Sequence, residues 1–161
     1  MSQKADTELI THQMFLKIPY SWSTGAYIGA FLKELRDSGK IYANKCPNCN
    51  RFRCPPSPVC GICHTKMQDR DKWMEVGPRG TVIGFSVVEQ SFLVPTTGEM
   101  LEVPIGVGII LLDGAPVSLQ HRLQETNSEK IKAGMRVEAV FKPREQRQAN
   151  IFDILYFKTI K

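Results

Sequence analysis

Residues 46–63 read CPNCNRFRCPPSPVCGIC and contain two Cys-x-x-Cys pairs, Cys46 with Cys49 and Cys60 with Cys63, separated by ten residues. A two-residue gap turns both sulfurs of a pair toward one point, and two such pairs supply the four soft, tetrahedral ligands that zinc favours. Because all four ligands come from the protein, no position remains for water, and the sequence predicts a structural rather than a catalytic zinc ion. The stretch is too short for a core of its own, so metal binding is expected to supply its folding energy.

Other uses of these cysteines fit the pattern less well. Cys60-x-x-Cys63 followed by His64 matches the attachment motif of c-type haem, but that use leaves the first pair unexplained. A thioredoxin-like redox pair requires a βαβ context that neither pair has. His64 is disfavoured as a zinc ligand because it adjoins Cys63, and Cys54, the spare thiol, is interpreted as a small packing residue.

The composition predicts a soluble cytoplasmic protein. The chain has 161 residues, of which 42% are apolar, enough to bury a core. Its first twenty residues lack the features of a secretory signal, and no apolar run is long enough to cross a bilayer. In a reducing compartment an odd number of cysteines is better explained by metal than by disulfides. The net charge of +5 suits an anionic partner without identifying it.

Upstream of the cysteines the sequence predicts an arm and a helix. Residues 1–23 form the arm, which either folds back on its own domain or docks on a partner. Its apolar cluster consists of Met14, Phe15, Leu16, Ile18, Pro19, Tyr20 and Trp22. Ser23 or Thr24 can cap a helix in which apolar residues recur every three or four positions, and Gly39 ends it.

Downstream, a charged connector over residues 64–79, with Trp73 and Val76 as anchors, leads into five β-rich segments. These are Thr81–Glu89, Val103–Leu112, Ala115–Arg122, Arg136–Lys142 and Ile151–Lys158. Asp113-Gly114 predicts a tight type I′ hairpin between the second and third segments. The polar residues 124–133 are interpreted as a short helix. Five strands with a helix after the third match the connectivity of an OB-fold.

The order of these motifs resembles a known protein family. The cysteine pairs flank Pro55-Pro56, and Trp73, the segment 77–82 (GPRGTV) and a β-rich tail follow. Members of that family carry an N-terminal helical arm, a rubredoxin-like zinc ribbon and a C-terminal OB-fold, and they accompany thiolases and related acyl-CoA enzymes. Asn50 stands where the family usually has Gly and Ser57 where it usually has Arg, which indicates a divergent subgroup.

The resemblance implies an arm and helix over residues 1–40, a zinc ribbon over 41–75 and a five-stranded OB-fold barrel over 76–161. It also implies that the chain is a non-catalytic, zinc-binding subunit of a heteromeric thiolase-type complex. The expected partner is a thiolase-like catalytic subunit, with acyl-CoA or coenzyme A shared at the interface.

The residues themselves offer little for catalysis. Once zinc takes four cysteines, only Cys54 remains as a thiol nucleophile, and the three histidines, His12, His64 and His121, lie in unrelated parts of the chain. His121 lies near a strand end beside Arg122, but a half-exposed strand histidine is the simpler interpretation. We therefore expect catalysis to reside on the partner.

Two groups of residues are candidates for binding coenzyme A or a partner. Basic residues around the cysteine pairs and the connector are candidates for phosphate binding, although charges of this kind more often form solvated surface. They are Lys45, Arg51, Arg53, Lys66, Arg70 and Arg79. The segment 90–103 joins the first two strands, where OB-folds build their binding edge, and it begins with the apolar candidates Phe92 and Leu93.

A module for single-stranded nucleic acid is the alternative that a basic chain of this fold permits. OB-folds of that kind stack bases on aromatic side chains of the second and third strands. The segment Val103–Arg122 contains no Phe, Tyr or Trp, which favours the acyl-CoA complex.

Overall fold

The computed structural model describes residues 11, 21–94 and 98–160. Of the predicted arm, only residues 11 and 21–23 are described, so its apolar cluster apart from Trp22 lies outside the described residues. The helix is α1 (Gly25–Asp37), and the strands are β1 (Ile41–Lys45), β2 (Phe52–Arg53), β3 (Met74–Val76), β4 (Arg79–Val88), β5 (Ile105–Leu112), β6 (Val117–Arg122), β7 (Arg136–Phe141) and β8 (Ile154–Thr159). Short 3-10 turns lie at Arg70–Lys72, Arg144–Gln146 and Ile151–Asp153.

Helix α1 forms as the apolar spacing predicts. Phe31 and Leu35 on its inner face are fully buried. Thr24 is the N-cap residue, while the hydroxyl of Ser23 accepts a hydrogen bond from the Gly25 N–H at 3.2 Å. Gly39 follows the helix with a φ of +67°, a left-handed conformation that glycine adopts without strain.

A three-stranded antiparallel sheet carries the cysteine module. Its order is β2-β1-β3, so the residues just before the cysteines form a strand, and the connector predicted after them contributes β3. Val76 is buried in the core, and the Trp73 ring packs 5.8 Å from that of Tyr27 and 6.5 Å from that of Tyr42. The two predicted anchors are therefore confirmed.

The remaining strands form a five-stranded antiparallel sheet in the order β6-β5-β4-β7-β8. This order places β4, the first strand of the sheet along the chain, between β5, the second, and β7, the fourth, as an OB-fold requires. The predicted closed barrel is not formed. A single parallel bridge, between Leu123 and Phe157, links the two edges of the sheet. In the described part of the chain, no ladder of paired residues closes the sheet into a barrel.

Two predicted local structures are wrong. Residues 124–133 form turns instead of a helix, because polar side chains bond to the nearby backbone. The Glu125 carboxylate accepts from the Asn127 N–H at 2.9 Å, and the Asn127 side chain accepts from the Glu129 N–H at 2.9 Å. The hairpin after β5 has four loop residues instead of two, since Leu112 pairs with Val117.

One apolar core runs through α1 and both sheets. Its fully buried members include Phe31 from the helix, Ile41 from β1 and Ile110 from β5. A second, small cluster contains Cys46, Cys60 and Met67. The cysteine module thus has only a small apolar cluster of its own, and the sheet that carries it packs into the main core.

Gly106→Ala is expected to destabilise the protein by about 1–3 kcal/mol, because overpacking forces backbone shifts. A Cβ at this position would collide with the carbonyl oxygen of Glu125. Gly84→Ala is the matched control on the neighbouring strand, since its Cβ would meet only Ile109 Cδ1 at 3.7 Å. Urea unfolding measures both variants, and equal midpoints would contradict the expectation.

Candidate functional site

The four paired cysteines converge on one point. The sulfur atoms of Cys46, Cys49, Cys60 and Cys63 all lie within 4.8 Å of one another. The Cys46 and Cys63 sulfurs are 3.4 Å apart, and the Cys49 and Cys60 sulfurs are 3.6 Å apart. Tetrahedral zinc with bonds of about 2.3 Å places its sulfurs about 3.8 Å apart, whereas a disulfide bond is about 2.05 Å long. The arrangement therefore fits a single tetrahedral metal ion.

Each cysteine pair sits on the same kind of backbone turn. The Asn50 N–H donates to the Cys46 carbonyl at 3.0 Å, and the His64 N–H donates to the Cys60 carbonyl at 3.0 Å. Asn50 has a φ of 59° and His64 a φ of 55°, so both occupy the left-handed region. Asn visits that region more readily than most residues, which explains why it can replace the Gly expected at position 50. His64 is exposed and outside the sulfur cluster.

Local hydrogen bonds favour the thiolate form at two of the four sulfurs. The Thr65 hydroxyl lies 2.8 Å from Cys63 Sγ and lowers the pKa of that thiol to about 5. The pKa of Cys46 is lowered chiefly by the backbone N–H of Cys49 and also by Thr65. These donors favour deprotonation of Cys46 and Cys63, which metal binding requires. Against a hydrogen bond from the Arg51 backbone, burial and the neighbouring sulfurs raise the pKa of Cys49 to about 11.

Asn44, which the sequence gave no reason to single out, braces the two halves of the module. It is fully buried on β1, and its Nδ2 donates to the Ser57 carbonyl at 2.8 Å and to the Gln68 carbonyl at 3.3 Å. Its Oδ1 accepts from the Ser57 N–H at 3.3 Å. One amide therefore joins the strand before the first cysteine pair to segments on both sides of the second.

Asn44→Ala is expected to lower the free energy of unfolding by about 1–3 kcal/mol, since it leaves buried backbone groups without partners. Thermal unfolding of the metal-loaded protein measures the effect. Gln146→Ala, in the exposed 3-10 turn after β7, serves as the control. An unchanged melting temperature in Asn44→Ala would show that the amide is not a brace.

The basic residues singled out in the sequence do not form one free positive surface. Three of them are in ion pairs: Lys66 with Asp69, Arg70 with Glu34, and Arg79 with Glu138. The Lys45 ammonium lies 5.7 Å from the centroid of the Phe52 ring, and Arg51 and Arg53 are exposed. Carboxylates therefore neutralise half of the set.

The described residues of the loop between β4 and β5 lie beside a concavity. Leu93 pairs with Met100, and both Phe92 and Leu93 are about half exposed. Beside them lies a concavity of about 750 Å³, lined by Val94, Glu99, Met100, Leu101, Glu102, Val103, Pro104, Ile105, Arg122 and Phe152. The apolar start of this loop is therefore on the surface, as predicted.

Phe152 was missed by the sequence reasoning, which placed it inside a strand. It lies in the 3-10 turn before β8. The Asn150 side chain accepts from the Phe152 N–H at 3.1 Å, and the Asp153 carboxylate accepts from the Asn150 N–H at 3.1 Å. The Asn-x-x-Asp spacing resembles a capping box and is the signal that could have revealed this turn.

His121 is buried, so the expectation of a half-exposed histidine is wrong. Its ring lies 5.8 Å from that of Phe157, and its Nε2 is 3.3 Å from the Ile151 carbonyl oxygen. Burial lowers its pKa. Cys54 lies outside the sulfur cluster and packs against the main core, as its interpretation as a packing residue requires.

The fold and the cluster define a mainly β protein in which a four-cysteine module precedes an OB-fold domain. A family model for the C-terminal OB-fold domain of ChsH2 matches residues 73–142. No functionally curated protein matches the chain.

Two solved structures share the fold. One is described as an Ltp2-ChsH2(DUF35) aldolase, with a TM-score of 0.56 and 21% identity over 86% of this chain and 98% of that one. The other is a protein of unknown function from the DUF35 family of Sulfolobus solfataricus, with a TM-score of 0.53 and 16% identity over 84% of this chain and 83% of that one. In the part of the chain that the structure describes, no helix has the length and hydropathy to span a membrane.

Proposed function

We propose that this chain is a non-catalytic, zinc-binding subunit of a heteromeric thiolase-type complex that acts on acyl-CoA. The observation that carries the proposal is the number of large apolar side chains left exposed along β4 and β5. They are Ile83, Phe85, Ile109 and Leu111, each at least 39% exposed. Contiguous apolar surface of this kind is typical of protein interfaces.

Zinc is the proposed metal because four sulfur donors in a closed tetrahedron suit it. Such a site has no open position for substrate, so its role would be to hold the module rigid. The chain would then present a fixed surface to its partner.

The remaining thiol supports a non-catalytic role. Burial raises the pKa of Cys54 to about 12, so this side chain stays protonated at neutral pH. Since the thiolate is the nucleophile in cysteine chemistry, Cys54 is unsuited to attack an acyl group.

The comparisons support a complex by analogy of fold. The structure described as Ltp2-ChsH2(DUF35) aldolase pairs a DUF35 protein with a second protein, and that structure covers most of the present chain. A finer form of the proposal makes benzoylsuccinyl-CoA the substrate of the partner. The aromatic arm and the chain length resemble the small subunit of the benzoylsuccinyl-CoA thiolase of anaerobic toluene breakdown, and a thiolysis assay of the isolated complex with that substrate tests this form.

The proposal is tested by isolating the tagged chain from its native cell and identifying what accompanies it. A thiolase-sized chain in constant ratio, together with one zinc per subunit, is the expected result. Ile109→Glu should reduce the amount of partner recovered, whereas Ser128→Glu, at an exposed turn outside the five-stranded sheet, should not. Recovery of the chain without a partner from its native cell would refute the proposal.

A further inference from the structure

The seam between the two edge strands, β6 and β8, is held by few hydrogen bonds in the described part of the chain. The bridge between Leu123 and Phe157 links the two edges. Beside this bridge, the Gln124 N–H donates to the Phe157 carbonyl at 2.9 Å. Parts of a fold with few such bonds open more readily than the centre of a sheet, so we expect this domain to open first at the seam.

His121 contributes two further contacts across the seam. It lies on β6, and its ring packs 5.8 Å from the ring of Phe157 on β8. Its Nε2 is 3.3 Å from the carbonyl oxygen of Ile151, in the turn that leads into β8. The residue is only 6% exposed, so both contacts lie inside the fold and depend on the ring keeping its buried position.

The neutral form of the ring is the one that suits this position. A carbonyl oxygen can only accept, so Nε2 must carry a hydrogen, and Nδ1 of the neutral ring is then unprotonated. Nδ1 is buried, and no described residue is its hydrogen-bond partner. A second proton on Nδ1 would therefore create a buried charge without an acceptor, which is energetically costly.

The groups on neighbouring strands do not favour a buried cation. β5 contains no titratable residue, and Arg122, next to His121 on β6, is itself a cation. β2 also contacts β6 and carries a second cation, Arg53. β8 carries Tyr156 and Lys158 on either side of the phenylalanine in the seam. The charges that the strands supply are therefore of the same sign as a protonated ring.

The turn before β8 carries a carboxylate, that of Asp153, which is bound elsewhere. It is fully buried and accepts from the Gln148 N–H at 2.9 Å and from the Asn150 N–H at 3.1 Å. Burial is the main cause that lowers the pKa of His121, the charge of Arg122 lowers it further, and hydrogen bonding to the backbone acts in the opposite direction.

We propose that His121 is a pH switch at the seam between β6 and β8. While the ring is neutral it closes the seam, and when it is protonated it turns outward and the two edge strands separate. The ring lines a concavity of about 340 Å³ together with Gln120 and Phe152, so it reaches water without unfolding of the rest of the sheet. This inference does not depend on the proposed function.

The direction of the pH dependence follows from the lowered pKa. A histidine in the open state takes up a proton near about pH 6.5, whereas buried His121 resists protonation until the pH falls further. The closed state therefore keeps its full stability above about pH 6.5 and loses stability as the pH falls below that value. From about pH 7.5 to about pH 5.5, the equilibrium constant for opening should rise by up to about tenfold.

Hydrogen exchange of individual amides in the full-length, zinc-loaded chain tests the proposal. Division by the intrinsic exchange rate at each pH gives the opening constant, and the Gln124 amide reports on the seam. Its protection should fall by up to about tenfold over this pH range, while that of amides in the paired strands β4 and β5 should not. Zinc content is measured at each pH, so that loss of the metal is recognised separately.

Two variants assign the effect to one histidine. His121→Gln can still donate to the Ile151 carbonyl but cannot gain a charge, so it should remove the pH dependence of Gln124 protection. His64→Asn removes an exposed histidine and should retain it. Equal loss of protection in the wild type and in His121→Gln overturns the proposal, and so does constant protection of Gln124 in the wild type.

An NMR titration of the His121 ring in the wild-type chain is a second test that needs no variant. At neutral pH the ring should be in the Nε2-protonated neutral form, and its protonation should coincide with the loss of Gln124 protection. A ring that titrates near about pH 6.5 while Gln124 stays protected also overturns the switch.

Discussion

Cys49→Ser is expected to abolish metal binding and to unfold the segment that contains the cysteine pairs. Removal of one sulfur leaves three ligands for the ion, and the binding free energy of a structural zinc site, on the order of 10 kcal/mol or more, is also folding free energy. Cys46, Cys60 and Met67 form only a small cluster around the site. That cluster is too small to replace the metal.

Elemental analysis and limited trypsin digestion measure this effect. The variant should contain no stoichiometric zinc and should be cleaved at Arg51 and Arg53, which are exposed between the cysteine pairs. Cys54→Ser is the matched control, since that sulfur lies outside the cluster and the variant should keep its zinc. Full metal content and protease resistance in Cys49→Ser would show that the four sulfurs do not act as one site. Chelation of the wild-type protein should reproduce the cleavage pattern.

Asp153→Ala is expected to lower the free energy of unfolding by about 3 kcal/mol. The Asp153 side chain is fully buried and accepts from the Gln148 N–H at 2.9 Å and from the Asn150 N–H at 3.1 Å. Its removal leaves buried backbone donors without an acceptor, each costing about 1–3 kcal/mol.

Urea unfolding measures this effect. Asp153→Asn keeps one acceptor oxygen and should lose less stability than Asp153→Ala. Glu129→Ala, on an exposed turn, is the control for removal of a carboxylate and should leave the unfolding midpoint unchanged. A stable Asp153→Ala variant would indicate that other groups or water satisfy the turn.

The sequence predicted the features that depend on local spacing. The spacing of the Cys-x-x-Cys pairs predicted that four sulfur atoms lie together, and the period of the apolar residues predicted the position of α1. It failed where pairing between distant segments decides the structure. β1 and β3 are five and three residues long. They form strands because they pair with each other in antiparallel fashion, although the cysteine module separates them in the sequence. No pattern within so short a run distinguishes a strand from a connector.

The surroundings of Arg122 illustrate the same limit. The second and third strands of the OB-fold contain no aromatic residue, and the exposed ring of Phe152 beside Arg122 comes from the turn before the last strand. Lys142 lies just after β7, and only the fold brings it to the same concavity as Arg122 on β6. Residues drawn from three separate segments could not be grouped from the sequence.

The continuity of the core through α1 and both sheets has a consequence for how the protein loses structure. Gly77 lies between the two sheets, where a Cβ would be 3.6 Å from both Ile41 Cδ1 and Leu112 Cδ2. Side chains in such contact share one cooperative unit, so opening one sheet exposes apolar surface of the other. Amide protons of β1 and β5 should therefore exchange with deuterium at similar rates, and withdrawal of the metal should accelerate both.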